Sequence, residues 1–244
     1  MLKISQYRIR FNKIPSLVYF CIFPLLIGLG FWQLHRAEEK RILVNKQDLG
    51  EMTATLQLST TSEDNVDLNR YKKVEVAGRY DDIQQFLIDN QISNGKAGYY
   101  VMTPLIIEGG TKAVLINRGW IPLNQGRSIL PDVHIEQING IIKGRINRFP
   151  SVGLKLPGAD EPSKNWPSVV QVIDSKKLSK RLGYPIFDFQ IELDRESPGG
   201  FKREWQNSQI MLPEQHTAYA IQWFGLAFTV TVIFIGSSLK KNND

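Results

Sequence analysis

Two long runs without a charged side chain constrain this sequence more than any other feature. Residues 14–34 form an uncharged run of 21 residues, and residues 215–239 form another of 25. About 20 apolar residues, rising about 1.5 Å each, let a helix cross the ~30 Å hydrocarbon layer of a bilayer. Buried helices of soluble domains rarely remain uncharged for so long. We therefore expect two transmembrane helices, at residues 14–34 and 213–239.

The first run could also belong to a cleaved signal peptide, because basic residues precede it. Its length exceeds that of a typical signal core, and it ends in Trp32-Gln33-Leu34-His35-Arg36 rather than at a small-x-small cleavage site. The sequence therefore favours a retained anchor, whose helix extends into the helix-forming residues 36–46. Because 13 residues and no long transit extension precede the run, we expect a bacterial source.

The charges that flank the two runs predict how the chain crosses the membrane. Four basic residues and no acidic one precede the first run, and Lys240 and Lys241 follow the second. The positive-inside rule then places the tails, 1–13 and 240–244, in the cytoplasm and the domain 35–212 in the periplasm of a bacterial inner membrane. The net charge of +6 consists of +4 for residues 1–34, +1 for 217–244 and +1 for the remainder. The basic excess thus indicates how the chain is oriented in a lipid membrane, and we expect no nucleic-acid partner.

The segment between the runs has the pattern of short strands separated by turns. Apolar residues alternate or cluster over short stretches that begin at Lys73, Phe86, Tyr99, Ala113, Gly140, Val169 and Ile186. Residues 176–182 predict a short helix that ends at Gly183, and the residues between 149 and 167 predict a long loop. The predicted fold is a membrane protein with two transmembrane α-helices flanking a β-rich exported domain, either an antiparallel sandwich or an open barrel.

The residue types and their spacing argue against an enzyme. No Gly-x-Ser-x-Gly, HExxH, Walker or GxGxxG motif is present. The single cysteine, Cys21, lies in the first run, so the exported domain has no disulfide and no thiolate metal site. Exposed carboxylates on strands explain the acidic pairs, and His134 lies in a polar loop. We therefore expect a non-enzymatic protein.

The unusual side chains lie at the predicted outer ends of the two spans. His216, Tyr219 and Trp223 are spaced i, i+3 and i+7 and so share one helix face, and Trp32 and Arg36 are spaced i, i+4. The predicted topology places both sets at the same edge of the membrane. An imidazole that ligates iron, aromatic rings that pack on a macrocycle and an arginine that pairs with propionates suit a haem-like ligand. His216 is the predicted axial ligand of the haem iron.

Structural roles compete with these functional ones. Tryptophan and tyrosine collect at membrane interfaces in any case, whereas an ionisable residue in the first turn of a span, such as His216, is a functional candidate. Gln33 and Gln222 could form hydrogen bonds across a helix pair. In the block Asn117-Arg118-Gly119-Trp120, Trp120 could fill a core and Gly119 could serve a turn.

Five motifs follow one another from about residue 28 to 224. They are Gly30-x-Trp-Gln-x-x-Arg, Gly78-Arg-Tyr, Gly98-Tyr-Tyr-Val-Met-Thr-Pro, Val114-Leu-Ile-Asn-Arg-Gly-Trp-Ile-Pro and His216-x-x-Tyr-Ala-x-x-Trp-Phe. In this order they resemble the Surfeit locus family of cytochrome c oxidase assembly factors. A departure is Gln215, where members often have asparagine.

The resemblance implies a function that the residues alone do not name. It implies binding of haem a and assistance of its insertion into oxidase subunit I, with His216 as the residue associated with haem. The partners implied are cytochrome c oxidase subunit I and the machinery of haem a synthesis, and Arg118 and Trp120 become candidate partner contacts. The alternative is a cofactor-free membrane scaffold that stabilises oxidase subunit intermediates.

Overall fold

The computed structural model describes residues 7–9, 12–123, 127, 129–151, 155–205 and 211–241. These residues form two compact units: a helical unit, from residues 1–45 and 207–244, and a sheet unit, residues 46–206. The topology prediction rests in part on Lys3 and Arg10, which lie outside the described residues, as do parts of both predicted tails. The helices are α1 (Lys13–Met52), α2 (Val66–Asn69), α3 (Ser175–Leu182) and α4 (Pro213–Ser238). The strands are β1 (Tyr7–Ile9), β2 (Leu56–Gln57), β3 (Lys73–Tyr80), β4 (Phe86–Ser93), β5 (Lys96–Ile107), β6 (Ala113–Pro122), β7 (Asn139–Asn147), β8 (Ser168–Val170), β9 (Ile186–Leu193) and β10 (Leu239–Lys241).

The two uncharged runs form α1 and α4. Both helices are long and apolar enough to cross a membrane, and only 11% of the apolar window of each is buried. Apolar residues all around a helix, left exposed in this way, are typical of a segment whose solvent is lipid. The two helices therefore indicate a membrane protein. As predicted, α1 continues as one helix well past Leu34, to Met52.

Aromatic and small side chains join the two long helices in the helical unit. The ring of Tyr19 stacks on Phe234 with centroids 4.3 Å apart, and its hydroxyl lies 3.2 Å from that of Thr231. Further along α1, Gly30 lies against the ring of Phe224. Early residues of α1 thus meet late residues of α4, so the two helices are antiparallel. The strands β1 and β10, which the sequence did not predict, pair antiparallel with each other.

The sheet unit contains all seven predicted strands, in one eight-stranded sheet. The order is β2-β3-β7-β9-β6-β5-β4-β8. The pairs β2–β3, β4–β8 and β6–β9 are parallel, so the sheet is not the antiparallel sandwich, which was one of the two predicted arrangements. Parallel neighbours need a crossover, and the chain from β6 passes through β7, β8 and α3 before it returns as β9. β3 also pairs with β5, which links β3, β7, β9, β6 and β5 in a cycle. The sheet is mixed, since it has parallel and antiparallel pairs, and it is not a plain barrel, because β2, β4 and β8 lie outside this cycle.

Apolar side chains cover both faces of the central strands. One buried cluster contains alternate residues of β3, β6 and β9, including Val76, Ile116 and Phe189. A second cluster packs the opposite face of β6 against Leu178 and Leu182 of α3. Burial on both faces explains why β6 begins with a continuous apolar run instead of alternating. The short helix α3 is confirmed close to its predicted bounds, with Asp174 accepting backbone hydrogen bonds at its start and Gly183 left-handed at its end.

Candidate functional site

A buried histidine in the first turn of α4 bonds to a glutamine of α1. Pro213 begins α4, and the backbone N–H of Leu212 donates to the side chain of Gln215 at 2.9 Å, which closes the helix end. His216 follows on the inner face and is only 7% exposed. Its Nδ1 lies 2.7 Å from Oε1 of Gln33. The cross-helix hydrogen bond expected of Gln33 is therefore present, and its partner is the predicted haem ligand.

A glycine allows the two helices to approach closely near this hydrogen bond. A Cβ atom at Gly30 would lie 2.4 Å from Cε1 of Phe224 and 2.6 Å from its Cζ, far inside contact distance. Gly30 precedes Gln33 by three residues and Phe224 follows His216 by eight, so both pairs lie along the same helix seam. The absence of a side chain at Gly30 thus brings Gln33 within hydrogen-bond distance of the imidazole.

The second ring nitrogen of His216 has no partner within the described residues. The bond of Nδ1 to Gln33 is the only side-chain hydrogen bond that this imidazole makes to the described residues. Within this part of the structure, one ring nitrogen is therefore held by a hydrogen bond and the other is not.

The predicted aromatic neighbours divide into two groups. Tyr219 and Trp223 lie about 60° and 20° around α4 from His216, so they flank it as the spacing predicted. Tyr219 is 42% exposed and Trp223 is half-buried. Trp32 is 56% exposed and lies about 200° around α1 from Gly30, on the side away from α4.

The predicted arginine pairs with a carboxylate of its own helix. Arg36 donates to Glu39 of its own helix at 2.6 Å, with both side chains roughly half exposed. His35 contacts the same carboxylate and is 77% exposed. Helical phase thus turns Trp32 away from the seam that Gly30 and Gln33 occupy, and the guanidinium of Arg36 pairs with Glu39 of its own helix. The site assembled here consists of His216, Gln33, Tyr219 and Trp223.

The chemistry of these four residues suits an iron-containing macrocycle. The imidazole has a nitrogen that could hold the iron, and the two aromatic side chains on the same helix face could supply apolar surface. Sequence reasoning selected three of the four and assigned Gln33 only a structural role. Its amide, polar and uncharged inside a span and three residues after a glycine, was the available signal.

The second candidate site lies in the sheet unit around Arg118. This side chain is 2% exposed and donates four hydrogen bonds, all to uncharged oxygens. The acceptors are Gly199 O (2.7 Å), Gln85 Oε1 (3.1 Å), Val133 O (2.7 Å) and His134 O (3.2 Å). Burial lowers the pKa of Arg118 to about 10. Arg118 thus ties together three segments that are distant in sequence, which supports a packing role.

A pocket of about 460 Å³ opens beside Arg118. Its wall includes Tyr80, Phe201 and the exposed Ile141. Burial raises the pKa of Tyr80 to about 12, which keeps its hydroxyl protonated at neutral pH. The sequence pattern gave no signal for this pocket, because its residues come from separate loops.

Trp120 also packs inward. It is 8% exposed, its indole N–H donates to Gln91 O at 2.9 Å, and Lys202 lies over its ring. Gly119 adopts a φ of 114°, a backbone conformation that favours glycine. These contacts favour the core and turn roles that the sequence left open, and the partner-contact role of Arg118 and Trp120 stays a prediction.

Comparison with known proteins identifies the family. Residues 20–228 match the model of the SURF1 family. A SURF1-like protein of Rickettsia felis is 28% identical over 233 residues, which cover 90% of this chain and 95% of the relative. A SURF1-like protein of Rickettsia conorii is 27% identical, over 90% of this chain and 89% of the relative. Surfeit locus protein 1 of Rattus norvegicus is 24% identical, over 88% and 72%. The chain therefore belongs to the SURF1 family, whose members are known generally as oxidase assembly factors.

Proposed function

We propose that this protein binds haem a at His216 and assists its insertion into subunit I of cytochrome c oxidase, without catalysing a reaction. The observation that carries the proposal is a buried imidazole in the first turn of a candidate span, with Nδ1 bonded to Gln33 and Nε2 without a hydrogen bond to the described residues. Ionisable side chains inside spans are costly and so are functional candidates. Membership of a family of oxidase assembly factors supports the proposed role in oxidase assembly.

Several residues of the helical unit would together bind haem a, which would be a transient cargo and not a permanently bound cofactor. His216 would hold the iron through a ring nitrogen, and Tyr219 and Trp223 would offer apolar surface to the macrocycle. A single imidazole ligand beside aromatic side chains would make a site that can release its cargo.

The proposal includes a location and partners. The protein would sit in a bacterial inner membrane, with both termini cytoplasmic and the sheet unit periplasmic, as the flanking charges predict. Its partners would be oxidase subunit I and the haem a synthesis machinery. Fusion of a reporter that is active only in the periplasm to the C-terminus should give no activity, whereas insertion after Gly95, in an exposed turn, should give activity.

Purification from cells that make haem a tests the ligand. The absorption spectrum of the wild-type protein in detergent should contain haem a, and His216→Ala should lose most of it. His134→Ala and His35→Ala are matched controls, because both side chains are exposed. Undiminished haem in His216→Ala, in a protein with normal helical content, would remove His216 from the ligand role.

The pocket beside Arg118 favours one alternative, a cofactor-free scaffold that stabilises oxidase intermediates. Ile141 is 66% exposed and borders two adjoining pockets of the sheet unit. If the scaffold is correct, Ile141→Asp abolishes oxidase assembly, whereas His216→Ala does not. If haem delivery is correct, the two variants give the opposite results.

A further inference from the structure

We infer that Gln33 is a positioning residue that fixes the imidazole of His216 in the tautomer with the proton on Nδ1, so that Nε2 is the ligating atom. The identity of the ligand rests on the function proposed above. The tautomer itself is a property of the haem-free chain, so the two can be tested separately.

The geometry of the hydrogen bond between Gln33 and His216 determines which ring nitrogen carries the proton. Oε1 of Gln33 lies 2.7 Å from Nδ1, well within hydrogen-bond distance. A carbonyl oxygen of an amide can only accept, so Nδ1 must donate. A neutral imidazole has one ring proton, and its place on Nδ1 leaves a lone pair on Nε2.

The surroundings hold this arrangement in place. His216 is 7% exposed, so water does not compete freely for Nδ1. Gly30 keeps the helices close, with room for no additional methyl group against Phe224. Nε2 has no hydrogen-bond partner within the described residues. A free histidine would interconvert between tautomers, whereas this one is prepared for ligation before the ligand arrives.

The acceptor also sets how strongly the histidine binds. Metal-ligating histidines usually donate their second N–H to a carboxylate, a carbonyl or water, and this partner orients the ring and tunes its basicity. A neutral amide withdraws the proton less than a carboxylate does, so the imidazole remains a moderate donor. A moderate donor suits a protein that must both take up and give away its cargo.

Nitrogen NMR of the haem-free protein tests the tautomer directly. The full chain, labelled with ¹⁵N-histidine, would be purified in detergent from cells that make no haem a and measured at about pH 8, where imidazole in water is neutral. His216→Ala assigns the signal among the three histidines. We expect the wild type to show a protonated Nδ1 and an unprotonated Nε2, and Gln33→Leu to shift the signal toward the tautomer protonated on Nε2.

Gln222 provides a matched control in the same unit. It is a glutamine of α4 with an exposed side chain and no hydrogen bond within the described residues. Gln222→Leu should leave the His216 signal unchanged. The inference is wrong if His216 is protonated on Nε2 in the wild type, or if Gln33→Leu gives the same signal as Gln222→Leu.

The haem-loaded protein gives a second readout. Outer-shell partners of metal-ligating histidines commonly contribute about 10- to 100-fold in affinity, so Gln33→Leu should weaken haem a retention by at least about tenfold. Gln33→Glu places a carboxylate against Nδ1 and should restore binding with a more negative reduction potential. A potential equal to that of the wild type would contradict the tuning role. If His216→Ala keeps its haem, the proposed function fails, whereas the tautomer result still decides the role of Gln33.

Discussion

Replacement of Arg118 by alanine distinguishes a residue that holds the sheet unit together from one that contacts a partner. The guanidinium donates to four uncharged oxygens at 2.7–3.2 Å, three of them backbone carbonyls. Alanine removes all four donors at once and leaves acceptors inside the protein without partners. We therefore expect Arg118→Ala to destabilise the sheet unit strongly.

The size of the effect follows from the removal of a charged donor from a buried network. Hydrogen bonds to charged groups contribute about 1.5–3 kcal/mol each after exchange with water is included, although such contributions do not simply add. Removal of one partner from a buried charge network costs about 3–5 kcal/mol. The expected loss in the free energy of unfolding is therefore at least about 3 kcal/mol.

Urea unfolding of the full chain in detergent, followed by tryptophan fluorescence, measures this loss. Arg79→Ala is the matched control, because that arginine is exposed on β3 and its side chain has no hydrogen bond or ion pair within the described residues. Arg118→Lys should recover only part of the stability, because a lysine cannot reproduce the planar fork. A loss below about 1 kcal/mol for Arg118→Ala would refute the reasoning. If oxidase assembly then failed as well, Arg118 would be a partner contact.

Three further perturbations address other parts of the molecule. Gly30→Ala should lower the free energy of unfolding of the helical unit, measured by SDS titration, by about 1–3 kcal/mol, because the added Cβ overlaps the ring of Phe224. Gly28→Ala is the control and should be neutral, because nothing lies within 4 Å of its added Cβ. Equal effects of the two variants would contradict the close approach of the helices at Gly30. Two lysine partners lower the pKa of Asp160 to about 2, so its stabilising effect is complete above the usual aspartate range and is lost as pH falls through about 2. Asp160→Asn should therefore remove that acid dependence from the unfolding free energy, and an unchanged dependence would be evidence against the pairing. Trp120→Phe should lower the free energy of unfolding in urea by about 1 kcal/mol, because the indole hydrogen bond to Gln91 is lost. An unchanged free energy would mean that this hydrogen bond contributes nothing to stability.

The strands of the sheet unit were predictable because their signal is local. A period of two in side-chain polarity, interrupted by turn residues, locates a strand without knowledge of its neighbours. The partners of each strand were not predictable in this way. The parallel pairing of β6 with β9 joins residues far apart in the chain, and nothing in either segment specifies the other.

The candidate site divides along the same line. Helical spacing correctly grouped His216, Tyr219 and Trp223, because they belong to one helix. It also placed Trp32 and Arg36 with them, because the sequence gives their height along α1 but not which side faces α4. The contact of Gly30 with Phe224 fixes that rotation, turns Trp32 outward and brings Gln33 to the imidazole.

The sequence by itself determined two candidate spans, the short strands between them, the family and the histidine of interest. These features depend on runs, periods and motifs within one stretch of chain. Only the tertiary structure decided which nitrogen of His216 is held and which is free, and that Arg118 faces inward. Those properties depend on atoms that approach each other across 183 residues for His216 and Gln33, and across 81 for Arg118 and Gly199. Such contacts arise from the packing of whole elements, so the order of residues does not reveal them.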